Sequence, residues 1–204
     1  MSDNRNRIRL AIAGVAALAV VGGTAAADGS ARKGDRGDDG HHGHRGSAVG
    51  VALHGIDGQQ VGWVRMREVH GKVIVRGVAR GLTPGFHGFH IHAIGVCDPA
   101  APDGPFTTAG GHYAGALPNH GDHAGDLPSL LVTADGHAWA SFLTDRFTID
   151  ELRDTDGSAV MVHAGRDNYA NIPTRYTAAG VPGPDATTLA TGDAGSRVAC
   201  GVID

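Results

Sequence analysis

The chain has 204 residues, with aromatics at only 5%, Gly at 33 positions and a formal net charge of −4. That length fits one folded domain plus extensions. Few aromatics and many glycines argue against a helical bundle with long apolar faces and for a turn-rich β domain, and the acidic balance argues against nucleic acid as a partner.

Residues 1–27 read as a secretory signal peptide. Arg5, Arg7 and Arg9 form a basic start, residues 10–21 are an unbroken run of apolar residues and Gly, and Ala25, Ala26 and Ala27 offer a small-residue cleavage site before Asp28. The alternative is an uncleaved anchor, but the run falls short of the ~20 residues that a membrane span needs. Cleavage would remove three arginines and Asp3, leaving 14 Lys+Arg against 20 Asp+Glu, a formal −6, and no stable membrane association. The product would be exported to the periplasm, the cell envelope or the medium. Export makes a disulfide permissible, and with two cysteines, Cys97 and Cys200, one intramolecular pairing is available.

Residues 28–46 carry one apolar side chain, Ala31, and cannot bury a core, so a disordered spacer is expected. His41, His42 and His44 within it are either loose metal ligands or solvated side chains of that spacer.

From Ala48 the chain reads as successive strands broken by turn signals. The predicted strands are 48–54, 60–69, 72–79, 86–94, 129–133, 137–144, 158–163 and 197–203, with Asp57-Gly58, His70-Gly71 and Asp135-Gly136 at turns. One helical turn is predicted over 147–152. Two long connections, 96–128 and 164–196, are rich in Gly, Pro, Asp and Asn; loops of that length without periodicity are usually functional or disordered. The expected fold is all-β: an eight-stranded Greek-key sandwich or flattened barrel, spanning 47–204, with two long functional loops.

The chemistry is concentrated in histidines. His90 and His92, two apart on a β-prone segment, point to the same strand face. His163 ends the apolar strand holding Val160, Met161 and Val162. Together they form a rigid three-nitrogen platform suited to copper. His112, His120, His123 and Asp126 follow one another at intervals of eight, three and three in the first long loop, a donor set suited to tetrahedral zinc. Seven ligands for two four-coordinate ions leave one bond short, and an imidazolate shared between the ions supplies it. His87 reads as a structural histidine, and His54, His70 and His137 as surface residues beside turns.

Four stretches carry a resemblance: Gly85-Phe86-His87-Gly88-Phe89-His90-Ile91-His92; Gly111-His112; His123-Ala124-Gly125-Asp126-Leu127-Pro128; and Gly192-Asp193-Ala194-Gly195-Ser196-Arg197-Val198-Ala199-Cys200-Gly201. From about Ser47 to Asp204 the chain resembles a bacterial secreted copper/zinc superoxide dismutase. The resemblance implies copper held by His90, His92, His112 and His163, and zinc held by His112, His120, His123 and Asp126. His112 would be the bridge and a catalytic proton carrier. Arg197 would be the catalytic arginine that guides and holds the anion. Asp167 would link a copper histidine to a zinc histidine, fixing ring tautomers from behind. Cys97 and Cys200 match the family disulfide. Superoxide would be the substrate, dismuted to O₂ and H₂O₂ by copper redox cycling around a structural zinc, and a homodimer is compatible with the family.

The chain departs from the family pattern in three places. After the bridging histidine it has Tyr113-Ala114-Gly115. The segment between the second and third zinc ligands is cut to Gly121-Asp122. The loop after His163 holds Arg166 and Arg175 but no lysine. Two other readings compete with a dismutase: a non-catalytic copper-binding or copper-delivering relative, and a metal scavenger acting through the His-rich tract.

Overall fold

The computed structural model describes residues 47–204; the predicted signal peptide and His-rich spacer lie outside the described residues. The strands are β1 (Ala48–Gly55), β2 (Gln60–Val69), β3 (Lys72–Arg80), β4 (Gly85–His87), β5 (Phe89–His92), β6 (Leu130–Val132), β7 (His137–Thr144), β8 (Ser158–His163), the two-residue pair β9 (Thr177–Ala178) and β10 (Val181–Pro182), and β11 (Arg197–Ile203). One short helix, α1 (Ala186–Thr191), lies in the second long loop. Nine strands form one antiparallel sheet in the order β4-β6-β7-β3-β2-β1-β11-β8-β5. Its two edge strands, β4 and β5, are consecutive in the chain, so the sheet curls into a nearly closed barrel with Greek-key order. The all-β expectation holds.

Alternation builds the barrel. On β1 every second residue is buried, and Val49, Val51 and Leu53 pack with Val64 and Met66 of β2 and Val73 and Val75 of β3. Phe89, Ile91, Val160, Val162 and Ile203 fill the rest of this core. Each such side chain contributes about 1.5–3 kcal/mol when fully buried. A smaller cluster of Phe106, Ala109, Ala159, Met161 and Cys200 lies under the first long loop.

The structure corrects three local expectations. The predicted strand 86–94 is two strands, broken at Gly88: β4 pairs with β6, while β5 pairs with β8. At the break Gly88 N–H donates to Gly165 O at 2.8 Å, and a Cβ on Gly88 would lie 2.6 Å from Ala194 Cβ, so only glycine lets the second loop pass so close. The helical turn predicted over 147–152 is a 3₁₀ turn at Glu151–Arg153. The second long loop carries its own short hairpin and α1. That helix has an Asp185 cap, whose carboxylate accepts the Thr188 N–H at 2.8 Å, and a left-handed Gly192 at its end.

Cys97 and Cys200 are joined, with a sequence separation of 103, which ties the first long loop to β11. Cys97→Ser should lower stability by ~2–5 kcal/mol, as removal of a disulfide closing so long a loop does. Denaturant unfolding of oxidised wild type and variant checks this; equal midpoints would mean that the bridge does not constrain the unfolded chain.

Candidate metal centre

β5 is buried on both faces. Phe89 and Ile91 enter the barrel core, so His90 and His92 point outward. On β8, Val160 and Val162 face the core and His163 follows Ala159 and Met161 on the outer side. The first long loop covers this outer patch by pairing with β5. Tyr113 N–H donates to Ile91 O and Ile91 N–H to Gly125 O, both at 2.8 Å. Isolated bridges set His92 opposite His112 and His90 opposite Asp126. The second loop closes the far side. A Cβ on Gly192, whose φ is +59°, would run into the Asp167 carboxylate and the His120 ring.

These contacts gather every predicted ligand into one buried cluster: His90, His92, His112, His120, His123, Asp126 and His163, with Asp167 beside them. Donor atoms of His90, His92, His112 and His163 all lie within 4.8 Å of one another; so do those of His90, His112, His120 and Asp126. His90 and His112 belong to both groups, but Asp167 takes His90 Nε2, which leaves His112 as the ring that can offer one nitrogen to each. His123 is the one expected ligand outside these two tight groups. Its Nδ1 is 3.5 Å from Asp126 Oδ2 and is buried without a hydrogen-bond partner among the described residues.

The outer ring nitrogens are occupied. Asp167 accepts from His90 Nε2 with one oxygen and from His120 Nε2 with the other, each at 2.7 Å. His92 Nδ1 lies 2.9 Å from Gly110 O, and His163 Nδ1 lies 3.0 Å from Gly195 O. A carbonyl can only accept, so both nitrogens carry the proton. The neutral rings then present Nε2 lone pairs to each other, 3.3 Å apart. Two acceptors facing each other in a buried site repel unless a proton or a metal ion lies between them, and both pKa values are held low here. His90 Nδ1 is likewise buried without a hydrogen-bond partner among the described residues. On the other side, His112 Nδ1 lies 3.0 Å and His120 Nδ1 3.1 Å from the same oxygen, Asp126 Oδ1. The donor set therefore fits two adjacent metal ions, an all-nitrogen one and one that includes a carboxylate.

Electrostatics agree. Burial, aided by the neighbouring Arg197 guanidinium, lowers His163 to about 3. Burial outweighs the Asp126 hydrogen bond at His112 and lowers it to about 4. Burial, aided by the charge on Arg197, pushes His92 well below its ordinary value. These imidazoles are neutral at pH 7, the state that binds metal. His120 differs: burial opposes its charge, but hydrogen bonds to Asp126 and Asp167 prevail and raise it to about 9. Asp126 and Asp167 resist burial through their histidine contacts and stay below the usual carboxylate range.

Arg197, at the start of β11, lies opposite His163 in the ladder. Its Nη1 donates to Phe106 O and its Nη2 to Gly110 O, each at 2.5 Å. The Gly110 carbonyl thus holds both the guanidinium and the His92 ring.

Two residues of the cluster's frame lie outside the sequence reading. Arg146 Nη1 donates to His123 O at 3.1 Å and to Gly121 O at 3.4 Å, clamping the short turn between His120 and His123. Tyr169 stacks on His120 with an interplanar angle of 15°, its N–H donates to Asp167 at 2.7 Å, and its hydroxyl accepts from Ser129 N–H at 2.7 Å. No local pattern marks either one: Gly121 and His123 are 25 and 23 residues from Arg146, and Ser129 is 40 residues from Tyr169. His87, by contrast, is structural as expected: its ring nitrogens meet His163 O at 2.6 Å and Thr83 O at 2.8 Å.

The copper/zinc superoxide dismutase (SODC) family profile matches residues 60–203. The superoxide dismutase [Cu-Zn] of Mycobacterium tuberculosis is 49% identical over 160 residues, which are 72% of this chain and 66% of that protein. The chain thus spans just under two thirds of the length of this mycobacterial relative. The superoxide dismutase [Cu-Zn] of Photobacterium leiognathi is 38% identical over 156 residues, covering 72% of this chain and 80% of that one. Among solved structures, the Cu/Zn superoxide dismutase from Brucella abortus superposes with a TM-score of 0.59 at 31% identity, covering 78% of this chain and all of that one. A SOD-like protein from Bacillus subtilis gives a TM-score of 0.60 at 28% identity, covering 76% and 98%. With a profile match over most of its length and relatives at these identities, the chain belongs to the copper/zinc superoxide dismutase family.

Proposed function

We propose that this protein is an exported superoxide dismutase, converting two superoxide anions and two protons to O₂ and H₂O₂. The observation that carries the reading is the pair of Nε2 lone pairs of His92 and His163, facing each other at 3.3 Å with both Nδ1 protons committed to carbonyls. His90, His92, His112 and His163 would hold copper; His112, His120, His123 and Asp126 would hold zinc. When bound, copper supplies the one-electron redox couple, while zinc has no redox chemistry and fixes the loop.

The protein's own groups do the rest. Arg197 offers a fixed positive charge to a small anion. His112, through which the two donor groups meet, would carry a proton on Nε2 whenever that nitrogen is not a ligand, and would give it to the reduced product. Asp167 locks the tautomers of His90 and His120, so that each presents Nδ1 inward. The covering loops keep the donors buried.

Residues 1–27 would serve as the leader, 28–46 as a spacer and 47–204 as the dismutase domain, acting in the periplasm, the envelope or the medium; a homodimer is compatible with this reading. Metal analysis of the purified exported protein, beside a superoxide turnover assay, tests the function. Copper-loaded protein without turnover would favour a copper-binding or copper-delivering relative. Deleting 28–46 should leave turnover intact, which a scavenger acting through the His-rich tract does not predict.

The zinc half gives a separate expectation. Arg146→Ala should leave copper content unchanged but weaken zinc retention against a chelator on the order of tenfold, as loss of a group that fixes a ligand does. Zinc retention equal to wild type would mean that the turn between His120 and His123 holds its shape without the clamp.

A further inference from the structure

The outer face of β2, β3 and β7 carries a pattern that the metal centre does not use. Cross-strand register lines up Trp63, Val78 and Trp139 in one row. The next row sets Arg65 directly opposite Arg76. The row beyond has Arg67, Ile74 and Leu143. No position in these rows is acidic. Trp139 is 69% and Leu143 55% exposed, although large apolar side chains ordinarily avoid water. Trp63 and Trp139 are the only tryptophans in the chain.

Half of the Lys and Arg side chains of residues 47–204 lie on β2 and β3, in a chain of net negative charge. At the margins Lys72 pairs with Asp145 at 3.8 Å, and His137 beyond Arg80 pairs with Asp135 at 3.1 Å. Between those margins, among the described residues, Arg65 and Arg76 have no carboxylate partner. Glu68 turns away and accepts the Ile149 N–H at 2.8 Å. Like charges directly opposite on a sheet destabilise it. Arg65 offsets part of this by lying over the Trp63 ring, 5.5 Å from its centroid. A local rule broken without internal compensation is expected where a surface is used.

From this face we infer a docking surface for an anionic lipid bilayer. Guanidiniums in the middle would meet lipid phosphates, and the indoles flanking them would seat at headgroup depth, where amphipathic aromatic rings collect. Charge complementarity also argues against a second copy seated here by two-fold symmetry, which would set arginine rows against each other. A hydrated polyanion would leave Trp139 and Leu143 without an apolar partner. In the sheet order, β2 and β3 lie across the barrel from β5 and β8, so docking leaves the metal centre facing solution. The contact would be peripheral and salt-sensitive, distinct from the stable anchoring that loss of the leader removes.

Both indoles report on this face alone, so tryptophan emission reads docking directly. The exported, metal-loaded protein is titrated with phosphatidylcholine vesicles with and without phosphatidylglycerol, following emission and co-sedimentation. The expected result is a blue shift and binding only with phosphatidylglycerol, reversed by high salt. Arg65→Gln/Arg76→Gln should weaken that binding roughly tenfold or more, at about one surface charge lost per substitution, with dismutase turnover unchanged and thermal stability equal or higher because the repelling pair is gone. Absence of a blue shift with anionic vesicles, equal binding to neutral ones, or undiminished binding by the double variant would overturn the inference. Retention on a sulfated polysaccharide without any shift on vesicles would assign the face to a glycan, and would equally overturn it.

Discussion

His163→Ala should reduce superoxide turnover to background while leaving a folded barrel. The imidazole sits at the end of β8, 4% exposed, outside the main core. Its backbone, not its ring, holds the strand: His163 N–H donates to Gly88 O at 2.8 Å, and its carbonyl meets His87 Nδ1 at 2.6 Å. Alanine keeps both contacts and the Cβ that packs against Gly88. What disappears is the Nε2 facing His92 and the Nδ1–H held by Gly195 O. Losing an outer partner of a ligand already costs ~10–100-fold in metal affinity or activity, so losing a ligand should cost more. Copper content, circular dichroism and turnover measured on the same preparation separate the site from the fold. Near-normal turnover by a copper-loaded variant would remove His163 from the copper set.

Much of this architecture is legible in the chain, for identifiable reasons. β1 and β3 bury every second residue, so their apolar alternation marks them. β8 is buried throughout, and its continuous Ala-Val-Met-Val run marks it differently. The spacing of His90 and His92 encodes a shared face because strand periodicity is two. Asp167 is legible only through family resemblance, since its partners His90 and His120 are 77 and 47 residues away. Arg146 and Tyr169 have no such marker, and their roles come from where the loops land. Gly88 reads as one glycine in an apolar run, and only the approach of Ala194 explains why the strand breaks there. Helix α1 spans six residues, too few for a periodic pattern, although Asp185 and Gly192 bracket it with a recognisable cap at each end.

Arg197 provides the second large expectation. Its guanidinium stays charged at any relevant pH, even though burial lowers its pKa from the ordinary arginine value. Two loop carbonyls, those of Phe106 and Gly110, fix its direction, and its charge contributes to the lowered values of His92 and His163. The residue is thus close enough to act on the donor cluster electrostatically without being one of its ligands. Arg197→Ala should keep copper and zinc content and lower the rate several-fold or more. Arg197→Glu should lower it further, because it reverses the local field in a protein that already carries net negative charge. The wild-type rate should fall as ionic strength rises, since screening over about 10 Å at 0.1 M salt weakens the attraction of an anion. Superoxide dismutases are themselves the standard example of such steering. The salt response must still be measured on this chain, whose second long loop offers Arg166 and Arg175 but no lysine. A wild-type rate that rises with salt would mean that the net negative charge dominates the approach. An Arg197→Glu variant with wild-type metal content and wild-type rate would refute the role assigned to this residue.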